Sequence, residues 1–151
     1  MQNLFAYGTL MCEDVMAEVS GCRLSFGPGI LKGFSRRAVK GEPYPAMVPS
    51  GQGLVEGIVY HNVPEPAWRR LDAFEGEMYA RRPVQVELAD GGTLWAGTYV
   101  MQRTFLSVLE AFDWNFETFL SHGKENFEKQ YKGYRAIGVD FNMARKPEKK
   151  P

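Results

Sequence analysis

Between Arg82 and Met101 apolar and polar residues alternate on either side of a tight turn, which commits this part of the chain to an antiparallel hairpin. Arg82, Val84, Val86 and Leu88 recur at period two, with Gln85 and Glu87 between them. Successive side chains of a strand point to opposite faces, so such a segment has one buried face and one wetted face. Asp90-Gly91-Gly92 supplies the turn, and residues 93–101 return as the second strand.

The remaining segments are shorter. Residues 3–7 predict an apolar strand that stops at Gly8-Thr9, and residues 13–19 a brief helix ended by Ser20-Gly21. Gly27-Pro28-Gly29 predicts a turn, followed by an extended run over residues 30–39 broken at Gly33. Residues 41–51 carry three prolines and predict a loop or an irregular edge. Residues 54–60 predict a strand with Val55 and Val59 on one face and Leu54, Ile58 and Tyr60 on the other. Beyond Thr104 the pattern turns helical, with Phe116, Leu120, Gly123, Phe127 and Tyr131 on one stripe weakened at Gly123. Strands precede and follow a helix without regular alternation, which predicts an α+β fold with a largely antiparallel sheet. There is neither an internal repeat nor a linker. The expectation is one domain over residues 1–142 and a disordered tail over residues 143–151.

Composition removes several classes of function. The 18 basic and 18 acidic residues cancel, leaving no electrostatic footprint for nucleic acid or an anionic membrane. No run of about 20 apolar residues is present, so no transmembrane helix is expected. The N-terminal strand has no basic region or cleavage site before it, which predicts no signal peptide. Cys12 and Cys22 make no disulfide framework and read as reduced thiols in a cytoplasmic protein. His61 and His122 lack partners at metal-ligand spacing, no Gly-x-Ser-x-Gly elbow occurs, and neither glycine cluster matches a phosphate-cradling loop. No metal, nucleotide or other cofactor is expected. Oligomeric state is not encoded in any pattern here.

Two local features carry chemistry. A helix is predicted from Asn62-Val63-Pro64 to the natural stop at Gly76. Within it Trp68, Leu71 and Glu75 are spaced i, i+3 and i+7 along one stripe, while Arg69 and Arg70 point toward water. A carboxylate on the packed face is costly unless paired or protonated, and desolvation raises its pKa into the range of a general acid and base. Glu75 also lies one residue before a terminating glycine, where it can bend into solvent or pair with Arg81 or Arg82. Helical spacing leaves both placements open, and Glu77 competes for the same role. The second feature is Tyr7-Gly8-Thr9-Leu10, where the chain leaves a strand through a glycine toward a helix. Successive amides in such a turn can converge on an anion. Alone, the same residues make an ordinary strand-to-helix turn.

Taken in order, Tyr7-Gly8-Thr9-Leu10, Tyr44-Pro45-Ala46-Met47-Val48-Pro49, Gly57-Ile58-Val59-Tyr60 and Leu71-Asp72-x-Phe74-Glu75-Gly76-x-x-Tyr79-x-Arg81 resemble the gamma-glutamylcyclotransferase superfamily. Within it the chain looks closest to the small gamma-glutamylamine cyclotransferase branch and the plant avirulence-induced-gene proteins. The resemblance covers roughly residues 3–101 and extends loosely to Trp114-Asn115-Phe116-Glu117-Thr118-Phe119. It implies a compact mixed barrel flanked by helices, with a cavity between the first loop and the Glu-bearing helix. By the same analogy Tyr7, Gly8, Thr9 and Leu10 hold a gamma-glutamyl group by backbone amides, Glu75 is the acid and base, and Tyr79 and Tyr99 are pocket walls. The family's glutamate maps onto the residue before Gly76, which demotes Glu77. The implied reaction releases 5-oxoproline and a free amine or amino acid from a small gamma-glutamyl substrate. Two alternatives stay open, a binding module that uses the cavity without chemistry and an enzyme acting on a different gamma-glutamyl conjugate.

Overall fold

The computed structural model describes residues 2–125 and residue 127. Contacts divide the chain into two units, Met1–Trp114 and Asn115–Pro151. In the first unit β1 (Gln2–Ala6), β2 (Phe26–Ala38), β3 (Pro45–Val63), β4 (Tyr79–Leu88) and β5 (Thr93–Met101) close into a barrel in the order β1-β3-β2-β4-β5. The β1–β3, β2–β3, β2–β4 and β4–β5 pairings are antiparallel, and a parallel seam between β1 and β5 completes the ring. The fold is therefore α+β, built on a mixed and largely antiparallel barrel.

Period-two patterning fills the inside. Val55 and Val59 of β3 meet Phe5 of β1, Leu31 of β2 and Val86 of β4, all buried. The predicted hairpin forms in full, with Gly91 in a left-handed turn and the Gly92 amide donating to Asp90 Oδ1 at 2.8 Å. Outside the barrel α1 (Glu13–Ser20) packs against α2 (Glu65–Glu75). Arg69 is exposed as expected, but Arg70 turns to α1 and donates to the carbonyls of Val19 at 2.8 Å and Glu18 at 3.2 Å. The last carbonyls of a helix have no internal donor, and a guanidinium at that end satisfies them.

Four segments refine or overturn their sequence reading. Gly27-Pro28-Gly29 is not a turn but lies within β2, opposite Val59, Ile58 and Gly57 of β3. Of the loop and the edge that the prolines left open, residues 45–51 take the edge: they begin β3, in register with β2 through Arg37↔Ala46 and Ser35↔Val48. Proline lacks the donor a ladder needs, so it survives in a strand only where no neighbour pairs. Pro45 and Pro49 are four apart and aim their missing donors at the same unpartnered edge. Residues 103–108 form a 3₁₀ turn rather than the opening of a long helix, after which Leu109 bridges back to Val39. Phe105 and Val108, three apart, share one side of that turn and pack with Val39, Ala46 and Met101. Finally, α2 is capped by Pro64, because β3 continues through Asn62 to Val63.

The second unit opens with Asn115 capping α3 (Phe116–Thr118) through a side-chain bond from the Thr118 amide, and a π turn follows over Phe119–Gly123. Phe119 stacks on Phe116 and meets Phe127 edge-on. Tyr131 of the predicted stripe and the expected tail lie outside the described residues.

Candidate active site

Glu75 is the last residue of α2, and its position follows from the residues on either side. Trp68 and Leu71 are 2 % and 0 % exposed, so their burial fixes the helix face that the stripe presents to the barrel. The next residue, Gly76, has φ 76° and ψ −166°, a region open in practice to glycine alone. Its amide closes the last turn on the Asp72 carbonyl at 3.1 Å. The chain then departs into β4 instead of continuing outward. Glu75 as a whole is partly exposed, but its carboxyl end is enclosed. Burial, with the charge of Asp72 adding to it, lifts its pKa from 4.5 to about 8.

Four phenols lie within electrostatic reach of that carboxyl. Tyr7, Tyr44, Tyr79 and Tyr99 all have raised pKa values, each through burial first, and each also through the nearby charge of Glu75. Three of their hydroxyls are held by acceptors other than Glu75. Tyr7 donates to the Tyr99 carbonyl at 2.6 Å, Tyr79 to the Pro45 carbonyl at 2.9 Å, and Tyr99 to Asp72 Oδ1 at 2.6 Å. The Met47 amide, on the same edge of β3 as the Pro45 carbonyl, bonds to Tyr7 and slightly offsets its shift. The strand edge that the prolines keep unpaired is therefore the edge that faces these phenols.

Gly8 joins this group through Pro45: a Cβ placed on Gly8 would meet the proline ring at 2.8 Å. Thr9 and Leu10 are both buried in the 3₁₀ turn Thr9–Met11 that starts at Gly8. The first amides of such a turn have no acceptor within it, while the Leu10 carbonyl accepts from Tyr60 at 2.7 Å. Of the residues singled out in the sequence, Tyr7 and Tyr99 meet through a hydrogen bond, and Glu75 acts electrostatically on Tyr7, Tyr79 and Tyr99. Glu77 is exposed beyond Gly76.

The predicted rival placement, in which an arginine takes Glu75, does not occur. Among the described residues Arg81 pairs with Asp72, its Nη2 lying 3.6 Å from Oδ2, and no ion pair includes Glu75. Sequence reading missed Asp72 and Tyr44, although both stood in the quoted motifs. A signal was present for Asp72, which lies three residues before Glu75 on a shared helical face. It also missed Arg36, which donates to the Tyr7 carbonyl at 2.9 Å and fixes the exit of β1. No three His, Cys, Asp or Glu side chains converge as metal ligands among the described residues, and no described helix is long and apolar enough to cross a membrane.

Comparison with known proteins gives this geometry its context. The chain is 33% identical over 126 residues to AIG2-like protein C of Arabidopsis thaliana, covering 83% of this chain and 73% of that protein. A solution structure of a protein from Arabidopsis thaliana superposes with a TM-score of 0.64 at 26% identity, over 91% of this chain and 83% of that one. The crystal structure of an AIG2-like protein from Mus musculus gives a TM-score of 0.59 at 26% identity, over 76% and 88% of the two chains. A family model described as gamma-glutamyl cyclotransferase, AIG2-like, matches residues 4–116, and the chain belongs to that family.

Proposed function

We propose that this protein is a gamma-glutamyl cyclotransferase of the carbon–nitrogen lyase type, which releases 5-oxoproline and a free amine or amino acid from a small gamma-glutamyl amide, with Glu75 as its acid and base. One observation carries the reading: a desolvated carboxyl without a counter-ion, within electrostatic reach of four phenols, with a proton affinity near neutrality. A general acid and base works best when its pKa lies close to the operating pH. A module that only held a ligand would have no use for so costly a group.

The substrate supplies its own nucleophile. A gamma-glutamyl amide carries an α-ammonium that can fold back onto its own γ-carbonyl. Glu75 takes a proton from that ammonium, and the freed nitrogen attacks the carbonyl carbon. The new C–N bond closes the ring, the old amide C–N bond breaks as Glu75 returns its proton to the departing nitrogen, and the second proton still on the ring nitrogen passes through the same carboxylate to the released amine. No proton is gained or lost overall. At pH 7 a carboxyl with a pKa of about 8 is only about one-tenth ionised. The incoming ammonium corrects this, since an opposite charge at close range favours the carboxylate. Acid–base assistance of this kind is worth roughly 10²–10⁴-fold, and holding amine against carbonyl adds several kcal/mol.

The buried Tyr7 and Tyr99 and the partly buried Tyr79 exclude water and wall the reacting atoms. The Gly8, Thr9 and Leu10 amides suit the α-carboxylate or the developing oxyanion. The cytoplasm is the proposed setting, where the unpaired Cys12 and Cys22 stay reduced.

A panel of gamma-glutamyl amides and amino acids, read by mass spectrometry for ring-closed product, tests this. The wild type should release 5-oxoproline from at least one member, and Glu75→Gln should lose at least about 10²-fold while Glu77→Gln stays near wild type. Binding without ring closure across the panel would favour the non-catalytic module, and undiminished turnover by Glu75→Gln would discard the mechanism.

A further inference from the structure

Asp72 gathers contacts from three elements. Its carboxylate accepts from Tyr99 of β5 at 2.6 Å and faces Arg81 of β4 at 3.6 Å. Its backbone carbonyl closes the turn of α2 that ends at Glu75 and Gly76. Arg81 is itself steadied, its guanidinium lying 4.4 Å over the ring of Trp68, which is tilted against Tyr99 at 6.5 Å. Trp68 is on α2, so the cluster runs from the helix to both hairpin strands and back. We infer that Asp72 is a positioning residue for Glu75, clamping the last turn of α2 to both strands of the β4–β5 hairpin with Arg81 as its counter-charge. Its role in turnover rests on the function proposed above; its hold on Glu75 does not.

Magnitudes separate this role from simple stabilisation. Asp72 and Arg81 are 46% and 35% exposed, and ion pairs so open to solvent contribute about 0–1 kcal/mol. The Asp72 charge also acts on Glu75, and a charge felt by an enclosed carboxyl is poorly screened. Asp72 disfavours ionisation of Glu75, and the opposite charge of Arg81 beside Asp72 should offset part of that effect. The other groups facing Glu75 are Tyr7 at the end of β1, Tyr44 before β3, Tyr79 at the start of β4 and Tyr99 of β5. Glu42 acts on Tyr44 and Tyr79, and Arg36 on Tyr7. All four phenols stay neutral through the pH range in which Glu75 titrates, so Asp72 and Arg81 remain the adjustable charges of the cluster.

Two substitutions should therefore move Glu75 in opposite directions. Asp72→Asn keeps an oxygen for the Tyr99 hydroxyl and removes the charge. Arg81→Gln removes the counter-charge and leaves Asp72 in place. Carboxyl-carbon NMR on protein labelled at glutamate, with Glu75→Gln to assign the signal, reads the midpoint without any need for activity. Asp72→Asn should lower it by about half a unit or more, leaving it above 4.5 because burial persists, and Arg81→Gln should raise it. Midpoints that stay put, or move in the same direction, would overturn the inference. Should Asp72→Asn fail to fold, the Arg81→Gln midpoint decides alone. The pH limb of 5-oxoproline release should follow the NMR midpoints. Shifted midpoints with no 5-oxoproline from the wild type would retain the clamp and remove the proposed reaction.

Discussion

At the scale of single residues, Glu75 sets both chemistry and pH response. Folding raises its pKa from 4.5 to about 8, so between those values the native state binds more protons than the unfolded chain. Stability from this source is greatest below pH 4.5, declines as pH rises through about 8, and the lost part is on the order of a few kcal/mol. Glu75→Gln removes the charge that must be desolvated. Its thermal midpoint is expected to exceed that of the wild type at pH 9 and to converge with it at pH 5, which differential scanning calorimetry would reveal. For the wild type, kcat/KM for ring closure should rise with pH and level off above about 8, the limb belonging to the free enzyme. A flat profile between pH 6 and 9 would remove Glu75 from the proton transfers. The stripe Trp68, Leu71, Glu75 offered a carboxylate on the packed face but left its exposure open. The enclosure of its head group depends on Tyr7, Tyr44 and Tyr99, which lie far off along the chain, and no local pattern encodes that.

At the scale of elements, the strand ends do the positioning. Gly8 leaves β1 at φ −130° and ψ −132°, and a Cβ there would have no room. Gly8→Ala drives a methyl into the Pro45 ring, whose own carbonyl holds the Tyr79 hydroxyl. Overpacking of that kind costs about 1–3 kcal/mol. The variant should show a lower urea midpoint and a fall in kcat/KM larger than its stability loss explains. Gly76→Ala meets no atom within 4 Å but must hold a backbone conformation that costs about 1–3 kcal/mol. It should destabilise the protein and loosen the end of α2; equal midpoints for wild type and variant would refute the strain argument. The hairpin was legible because its alternation and its Asp90-Gly91-Gly92 turn are adjacent in sequence. The strand over residues 45–51 was left undecided by its prolines, which advertise a break and are tolerated only because one flank of β3 faces side chains instead of another strand. Residues 103–108 misled for a related reason: spacing by three serves a 3₁₀ turn as well as a helix.

At the scale of the molecule, Arg36 joins parts that sequence order keeps apart. Its side chain is 16% exposed, donates to the Tyr7 carbonyl and to both oxygens of Asp113, and lies 5.4 Å over Trp114. Hydrogen bonds of charged groups contribute about 1.5–3 kcal/mol, and Arg36→Ala should lower the urea midpoint accordingly with an unchanged slope. Arg36→Lys should rescue little, since an ammonium cannot reproduce the planar fork. An unaltered midpoint in Arg36→Ala would mean that residues 109–114 dock without it. The barrel itself was foreseeable from family resemblance and not from periodicity, because period two sets which face is buried and leaves open which strands pair. That choice has a consequence for how the chain is made. The parallel seam joins Asn3 to Ala96 and Leu4 to Gly97, so the first strand synthesised waits for the last before one flank finds its partner. During translation that flank stands open to any extended peptide nearby. A nascent chain stalled within the Asp90-Gly91-Gly92 turn should be adhesive in a way the finished protein is not.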